Sequence, residues 1–252
     1  MKFTFVGTGT AAPSGQLRPS CIYFDFDGFT GLLDLGAGAI HSMASMGIDP
    51  IHIGNVFFSH YHSDHVADLI MMLHSNNSTP GKIRTKALSL NGPVGLQRLV
   101  QTVMEQFPET VPENYEVNVV EEKPAGFSVH TSGIRVSCCK TGHTEYSIAH
   151  RFQSPDRTFV YTGDCAFSSD LCDFCRGADV LITECSYTDD CRTEDHLCVH
   201  ETALLAKNAG VGNLVIVHRY PETVKTDIIP ELKEIYAGHI MIPSDGEEIF
   251  FE

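Results

Sequence analysis

The chain has 252 residues, of which 42% are hydrophobic and 19% are charged. This length suits one large α/β domain over residues 1–252, and no segment reaches the roughly 18 consecutive apolar residues that a membrane span needs. The formal net charge of −15 argues against long DNA or RNA as a partner, because nucleic-acid affinity comes largely from lysine and arginine neutralising phosphates.

The expected location of the protein and the spacing of its cysteines both indicate reduced thiols. The first residues enter a strand pattern at once and show no secretory signal, so we expect a cytoplasmic protein. Six of the nine cysteines fall between Cys165 and Cys198, which is unlike an evenly spaced disulfide framework, and we expect reduced thiols. A structural zinc site on Cys172, Cys175, Cys191 and Cys198 stays open, although the second pair lacks tight spacing.

Apolar runs and turn signals predict the strands and helices in chain order. The first part is expected to hold strands at 2–6, 21–26, 30–34 and 53–58 and helices at 36–46 and 64–74. In the middle, strands at 87–90, 115–120, 125–130, 134–140, 147–152 and 158–162 surround a helix between Pro93 and Gln106. From Ala166 onward, helices at 166–175, 199–209 and 223–236 alternate with strands at 179–183, 213–217, 238–242 and 247–251. This order favours two packed sheets with helices outside and a cleft along strand ends.

Four metal-ligand side chains crowd into the six residues His60-Tyr61-His62-Ser63-Asp64-His65, directly after the apolar run Val56-Phe57-Phe58. Alternate residues of an extended strand point the same way, so His60 and His62 can face one site. Asp64 and His65 lie at the turn into a helix and can face another site. The spacing therefore indicates two adjacent metal ions.

With this cluster as the starting point, nearly the whole chain resembles the metallo-β-lactamase superfamily, and within it the ribonuclease Z-like branch, which also includes small phosphodiesterases. The similar stretches are Gly7-Thr8-Gly9-Thr10, Leu33-Asp34-Leu35-Gly36-Ala37-Gly38, Asn91-Gly92-Pro93-Val94-Gly95-Leu96, His143 to Phe152, Tyr161-Thr162-Gly163-Asp164 and Val215-Ile216-Val217-His218. In the segment from His143, Ala149-His150 stands where the branch usually has Gly-Tyr. The resemblance implies an α+β fold (αββα), a four-layer sandwich of two mixed β-sheets with helices on the outer faces.

The resemblance also implies seven metal ligands in two sets that share one carboxylate. The ligands are His60, His62 and His143 on one ion, Asp64, His65 and His218 on the other, and Asp164 bridging the two. Imidazole and carboxylate ligands suit zinc, with manganese, iron or nickel as replacements. The diiron relatives usually carry a glutamate where this chain has His62, which disfavours a redox role.

Two such ions imply hydrolysis. A water shared between them has its pKa lowered from about 15.7 toward 7 and becomes a hydroxide nucleophile near neutral pH. His196 matches the non-ligand active-site histidine of the phosphodiesterase branch in position, and we expect it to protonate the leaving group. His200, one helical turn later, is a weaker candidate for that role. We therefore assign catalysis to His196 and Asp64, the latter also being a ligand.

The expected substrate is a small phosphodiester, such as a cyclic nucleotide or a cyclic sugar phosphate. Ribonuclease Z proteins insert a long arm between the third histidine and the bridging aspartate to grip transfer RNA. Here only the 20 residues from 144 to 163 separate them, and two strands and the Ser154-Pro155-Asp156-Arg157 turn use these residues. No arm fits there. Relatives often dimerise, which leaves a homodimer open.

Two other functions stay open at this point. One is lactone or ester hydrolysis by the same hydroxide, in which Tyr187 or Tyr220 would take the place of His196. The other is a metal-binding accessory protein without turnover, which the full ligand set and His196 disfavour. The remaining histidines are expected to be surface or packing residues, among them His41, His52, His74, His130 and His239.

Overall fold

The structure is a computed structural model that describes residues 1–124, 127–129 and 133–252. Its strands are β1 (Lys2–Gly7), β2 (Cys21–Phe26), β3 (Phe29–Leu33), β4 (Asn55–Phe57), β5 (Leu88–Gly92), β6 (Val117–Glu121), β7 (Phe127–Val129), β8 (Arg135–Lys140), β9 (Ile148–Gln153), β10 (Thr158–Tyr161), β11 (Val180–Glu184), β12 (Asn213–Val217), β13 (His239–Met241) and β14 (Glu248–Phe250). Its helices are α1 (Ala39–Ser45), α2 (Ser63–Val66), α3 (Leu69–Ser78), α4 (Leu96–Gln106), α5 (Ser169–Cys175), α6 (Val199–Ala209), α7 (Pro221–Lys225) and α8 (Ile229–Ile235).

The strands form two seven-stranded sheets, in the orders β14-β1-β2-β3-β4-β5-β6 and β13-β12-β11-β10-β9-β8-β7. The first sheet is antiparallel from β14 to β3 and parallel from β3 to β6. The second is parallel from β13 to β10 and antiparallel from β10 to β7. Both sheets are mixed, which confirms the predicted αββα sandwich.

Successive residues of a strand point to opposite sides of its sheet. In the central strands β10, β11 and β12 both sides are buried. In β12, Val215 and Val217 pack between the sheets, whereas Leu214 and Ile216 pack under the helices of the second sheet. Phenylalanine dominates the layer between the sheets, where the rings of Phe152 and Phe159 stack with centroids 4.4 Å apart. This rigid inner layer fixes the strand ends that carry the polar residues.

The helix predicted at 64–74 is wrong as a single element, since α2 and α3 are separated at Ala67 and Asp68. The amide of Asp68 donates to the carbonyl of Leu35 at 3.1 Å, and its carboxylate accepts from the amides of Gly38 (2.9 Å) and Ile40 (2.8 Å). Asp68 thus caps the start of α1 instead of continuing a helix.

The helix predicted at 223–236 is also two helices, α7 and α8, separated by Thr226 to Ile228. Pro230 lies in the first turn of α8 and has no amide proton to continue a helix from α7. The predicted elements at 21–26, 199–209 and 213–217 have the same ends in the structure, and the others are present with shifted ends, except that the strand at 125–130 lies partly outside the described residues. Across the described ranges, no helix is both long and apolar enough to span a bilayer.

Candidate metal centre

The polar residues of the site sit where β4, β10 and β12 end, at one edge of the sandwich. His60 follows β4, and Asp64 and His65 lie in α2. Asp164 follows β10 and His218 follows β12, while the turn between β8 and β9 carries His143. Carboxyl ends of neighbouring strands meet at one edge, so residues far apart in sequence converge there.

Two backbone features place Asp164 and His218. Gly163 has a φ of +56°, and a Cβ there would lie 2.3 Å from the Cβ of Ser59, so no other residue fits before Asp164. His218 is itself in the left-handed region at φ 50°, a conformation that a non-glycine residue seldom adopts. Its amide donates to the carbonyl of Thr8 at 2.7 Å, which holds this turn against the first strand.

The structure brings all seven sequence-predicted ligands together in two groups. Within each group the potential ligand atoms lie within 4.8 Å of one another: His60, His62, His143 and Asp164 form one group, and Asp64, His65 and His218 form the other. One oxygen of Asp164, Oδ2, lies 3.8 Å from His60 Nε2 and 3.7 Å from His143 Nε2. The other oxygen, Oδ1, lies 3.4 Å from both His65 Nε2 and His218 Nδ1. The carboxylate of Asp164 therefore faces both groups.

The residues present fit divalent metal ions. Among the described residues, His60 Nε2, His65 Nε2 and Asp164 Oδ1 are buried and have no hydrogen-bond partner. Buried polar atoms are nearly always satisfied, so three orphaned atoms in one place need a common partner. Burial and the nearby His65 lower the pKa of His60 to about 3, which keeps that imidazole neutral, the form that binds metal.

Asp34 supports the predicted ligands through hydrogen bonds on the side away from the centre, a role that the sequence did not predict. Its fully buried carboxylate accepts hydrogen bonds from Ser59 N (2.7 Å), Ser59 Oγ (2.8 Å), His65 Nδ1 (2.7 Å) and Tyr161 Oη (2.6 Å). The bond from His65 Nδ1 leaves Nε2 of that ring as the free lone pair. Burial disfavours the charged carboxylate, but attraction to His65 and the hydrogen bonds from His65 and Tyr161 lower the pKa of Asp34. A lone carboxylate between Leu33 and Leu35 was the available signal.

His196 lies beside the two groups, just before α6. Its ring centroid is 4.4 Å from that of His143 and 5.9 Å from that of His218. His196 Nδ1 lies 3.0 Å and 3.1 Å from the two carboxylate oxygens of Glu184. Although burial disfavours an imidazolium, the hydrogen bond and charge of Glu184, with Asp164 beyond it, raise the pKa of His196 to about 9. Bound cations would lower that pKa.

Glu184 is the second residue that the sequence reasoning missed. It ends the apolar strand β11, is fully buried, and accepts the amide of Cys165 at 2.7 Å. An acidic residue closing a run of Val180-Leu181-Ile182-Thr183 was the signal that could have identified it.

The weaker candidates are placed away from the two groups or at their edge. His200 is exposed and is in none of the clusters that the described residues offer to a metal. Tyr187 and Tyr220 stack at 5.0 Å next to His196, with Tyr187 at 5.7 Å from its ring.

The cysteines and the other histidines take no part in the two groups. None of the four cysteines considered for a zinc site belongs to a cluster that could hold a metal in the described part of the chain, and all nine cysteines are free thiols. His41, His52 and His239 are exposed and His74 is half-buried, as predicted, while His130 lies outside the described residues.

The two sheets and the shared histidine and aspartate cluster define a hydrolase of the metallo-β-lactamase fold. The comparisons with known proteins agree, and the chain belongs to the family described as Anti-Pycsar protein Apyc1, whose profile matches residues 1–231. Membership of a metallo-hydrolase group implies divalent metal ions, for which the cluster is suited.

Individual relatives span nearly the same length as this chain. The probable metallo-hydrolase YhfI of Bacillus subtilis is 25% identical, with 98% of each chain covered, and its crystal structure superposes with a TM-score of 0.81 at 23% identity over 98% of each chain. A ribonuclease Z of Methanothermobacter thermautotrophicus is 23% identical over 92% of this chain and 90% of that protein. The short form of human tRNase Z shares the fold at a TM-score of 0.77 and 20% identity, with 100% of each chain covered. These findings confirm the predicted ribonuclease Z-like resemblance.

Proposed function

We propose that residues 1–252 form one metallo-β-lactamase-fold domain that hydrolyses a small phosphodiester at a dinuclear zinc centre. His60, His62 and His143 would hold one ion and Asp64, His65 and His218 the other, with the carboxylate of Asp164 facing both groups. The observation that carries this proposal is the position of Asp164, whose two oxygens face the two groups at 3.4 to 3.8 Å.

When bound, a pair of divalent ions supplies a hydroxide nucleophile near neutral pH and offsets the charge on the phosphoryl oxygens. The protein's own residues supply orientation and a proton. Asp34 holds His65 in one tautomer through the 2.7 Å bond from Nδ1, and Ser59 Oγ, 3.0 Å from His60 Nδ1, does the same for His60. Both rings therefore present Nε2 to the centre.

His196 is placed to protonate the leaving oxygen. Glu184 engages Nδ1, which leaves Nε2 as the nitrogen free to meet a substrate. The raised pKa of His196 keeps the imidazole protonated near neutral pH, so it has a proton to donate to the leaving oxygen. The acid and its carboxylate partner together form a unit that acts on the leaving group.

A small substrate fits the protein better than transfer RNA. Between His143 and Asp164 the chain runs through β9, the turn at 154–157 and β10, with no extension that could act as an arm. The net charge of −15 adds a general repulsion of polyanions. A cyclic nucleotide or a cyclic sugar phosphate carries one scissile phosphodiester in a compact body. Such a substrate needs no arm to hold it, and it is not a polyanion.

The test combines metal analysis with parallel assays on bis(4-nitrophenyl) phosphate, cyclic nucleotides, precursor transfer RNA and an acyl lactone. We expect two zinc ions per chain and turnover of phosphodiesters that chelation abolishes and zinc restores. His196→Ala should reduce turnover of the cyclic nucleotides, whose alkoxide leaving groups need a proton, while the zinc content is kept. Turnover of the lactone alone, or of transfer RNA in preference to the small diesters, would contradict the proposal.

A further inference from the structure

We propose that His150 and Glu122 form a positioning pair that fixes the Phe58–Ser59 peptide group, one residue ahead of His60, and thereby sets the geometry and affinity of the metal centre. This inference rests on the proposed role of His60 as a ligand. His150 occupies the position at which the sequence departs from the Gly-Tyr of the ribonuclease Z-like branch.

The pair joins the two sheets. His150 is the third residue of β9 in the second sheet and is fully buried. Glu122 follows β6 at the edge of the first sheet, is 8% exposed, and is held by its amide, which donates to the carbonyl of Gly92 at 2.7 Å. The nearest carboxylate oxygen of Glu122 lies 3.6 Å from His150 Nδ1, which is within the range of an ion pair and beyond that of a hydrogen bond.

The opposite nitrogen of the ring reaches the metal-binding segment. His150 Nε2 lies 3.0 Å from the carbonyl oxygen of Phe58, and since a carbonyl only accepts, Nε2 must carry a proton. A neutral ring would then turn the lone pair of Nδ1 toward the Glu122 carboxylate, which is repulsive. This arrangement favours the protonated ring. Burial opposes this charge, but the Glu122 carboxylate and the Phe58 carbonyl raise the pKa of His150 above its ordinary value.

The carbonyl that His150 holds belongs to the peptide group between Phe58 and Ser59. The amide of that same peptide group donates to Asp34 Oδ1 at 2.7 Å. A proton donor thus lies at the oxygen and a carboxylate at the N–H, which matches the dipole of the peptide at both ends. The next carbonyl, of Ser59, accepts from the amide of Ile148 at 2.9 Å.

The consequence falls on His60, the next residue along the chain. With both peptide groups of Ser59 fixed, the backbone that leads into His60 has little freedom, and the His60 ring is held further by Ser59 Oγ at 3.0 Å. Outer contacts of this kind typically change metal affinity or activity by about tenfold to a hundredfold when they are removed. His150 acts through Phe58 and does not contact the centre itself.

The experiment measures zinc affinity by chelator competition in three variants of the full chain. His150→Phe keeps a ring of similar size but removes the proton donor and the charge, and we expect about tenfold to a hundredfold weaker zinc binding. His150→Gln places an amide N–H near the position of Nε2, and we expect it to restore most of the affinity. Glu122→Gln should weaken binding to an intermediate degree.

Two further readouts separate positioning from folding. The visible absorption of the cobalt-substituted protein should change in His150→Phe, because the ligand field at His60 changes. The control is Tyr236→Phe, which removes another buried side-chain donor, the 3.0 Å bond to the carbonyl of Val211, far from the site. This control should lower the melting temperature of the metal-free protein without changing zinc affinity or the cobalt spectrum.

Wild-type zinc affinity in a folded His150→Phe protein would overturn the inference, as would a loss in His150→Gln as large as in His150→Phe. If His150→Phe does not fold, Glu122→Gln decides, and unchanged zinc affinity in that variant overturns the pair. A wild-type chain that binds no zinc would refute the proposed function itself, which is a distinguishable result.

Discussion

Replacing Glu184 by glutamine should slow the cleavage of phosphodiesters selectively, according to their leaving group. The carboxylate of Glu184 holds His196 Nδ1 through contacts of 3.0 and 3.1 Å and stabilises the protonated ring. Glutamine keeps the shape and can still accept the amide of Cys165, but it carries no charge. The variant should therefore fold normally and contain a weaker acid at the right place.

The magnitude follows from the type of contact that is lost. A hydrogen bond to a charged group contributes about 1.5–3 kcal/mol. Since about 1.36 kcal/mol corresponds to a factor of ten in rate, we expect a loss of about tenfold to a hundredfold where the leaving group needs a proton. The alkaline limb of the pH–rate profile should also move to lower pH, because the acid loses its proton at lower pH once Glu184 no longer raises the pKa of His196.

The assay compares kcat/KM for two phosphodiesters that differ only in their leaving group. A 4-nitrophenolate leaves without a proton, so that substrate should be nearly insensitive to Glu184→Gln, whereas an alkoxide leaving group should show the full loss. Glu201→Gln is the matched control, because Glu201 is also a buried glutamate, 7% exposed, but pairs with Arg192 at 2.7 Å instead of His196. Equal losses on both substrates, or none on the alkyl ester, would refute the assignment of His196 and Glu184 as the acid unit.

Three further results are expected. His62→Ala should reduce the zinc content by about one ion per chain and abolish phosphodiester turnover, as measured by elemental analysis and rate, because one group loses its exposed ligand; full zinc content in the variant would contradict the ligand set. Chelation should lower the melting temperature in calorimetry, since the buried carboxylate of Asp164 then lacks a partner for Oδ1, and added zinc should restore it; the same melting temperature in both states would argue against a bound metal. Asp34→Asn should lower the free energy of unfolding by about 3–5 kcal/mol in urea titrations, because it leaves a buried charge network without its anion. Tyr161→Phe, which removes one hydrogen-bond donor to Asp34, should cost about 1 kcal/mol. Comparable costs for the two variants would show that the charge of Asp34 is unimportant.

The sequence predicted well what is local and poorly what depends on distant contacts. His60 to His65 could be interpreted without the fold, because alternation along a strand and a helix start decide which way those side chains face. The more distant predicted ligands His143, Asp164 and His218 came from the resemblance. Gly163 before Asp164 and the apolar strand before His218 are compatible with it, whereas nothing around His143 distinguishes that residue from a surface histidine. The structure brings them beside the local cluster.

The supporting residues could not be predicted because their partners lie far along the chain. Asp34 meets Tyr161 across 127 positions, and Glu184 meets His196 only after the chain has left β11 and returned before α6. The break between α2 and α3 has the same origin, because Asp68 is used to cap α1. The sequence pattern there is compatible with a continuous helix, and tertiary contacts decide otherwise.

The shared position of Asp164 has a consequence for how the proposed dinuclear centre would acquire its ions. One carboxylate whose two oxygens point into two neighbouring sites cannot adjust to one occupant without affecting the other. Filling either site should orient Asp164 for its neighbour, while mutual repulsion of the cations opposes the second step. The two loading events of the proposed centre would therefore be thermodynamically linked, and by reciprocity each ion would change the affinity of the other site by the same factor.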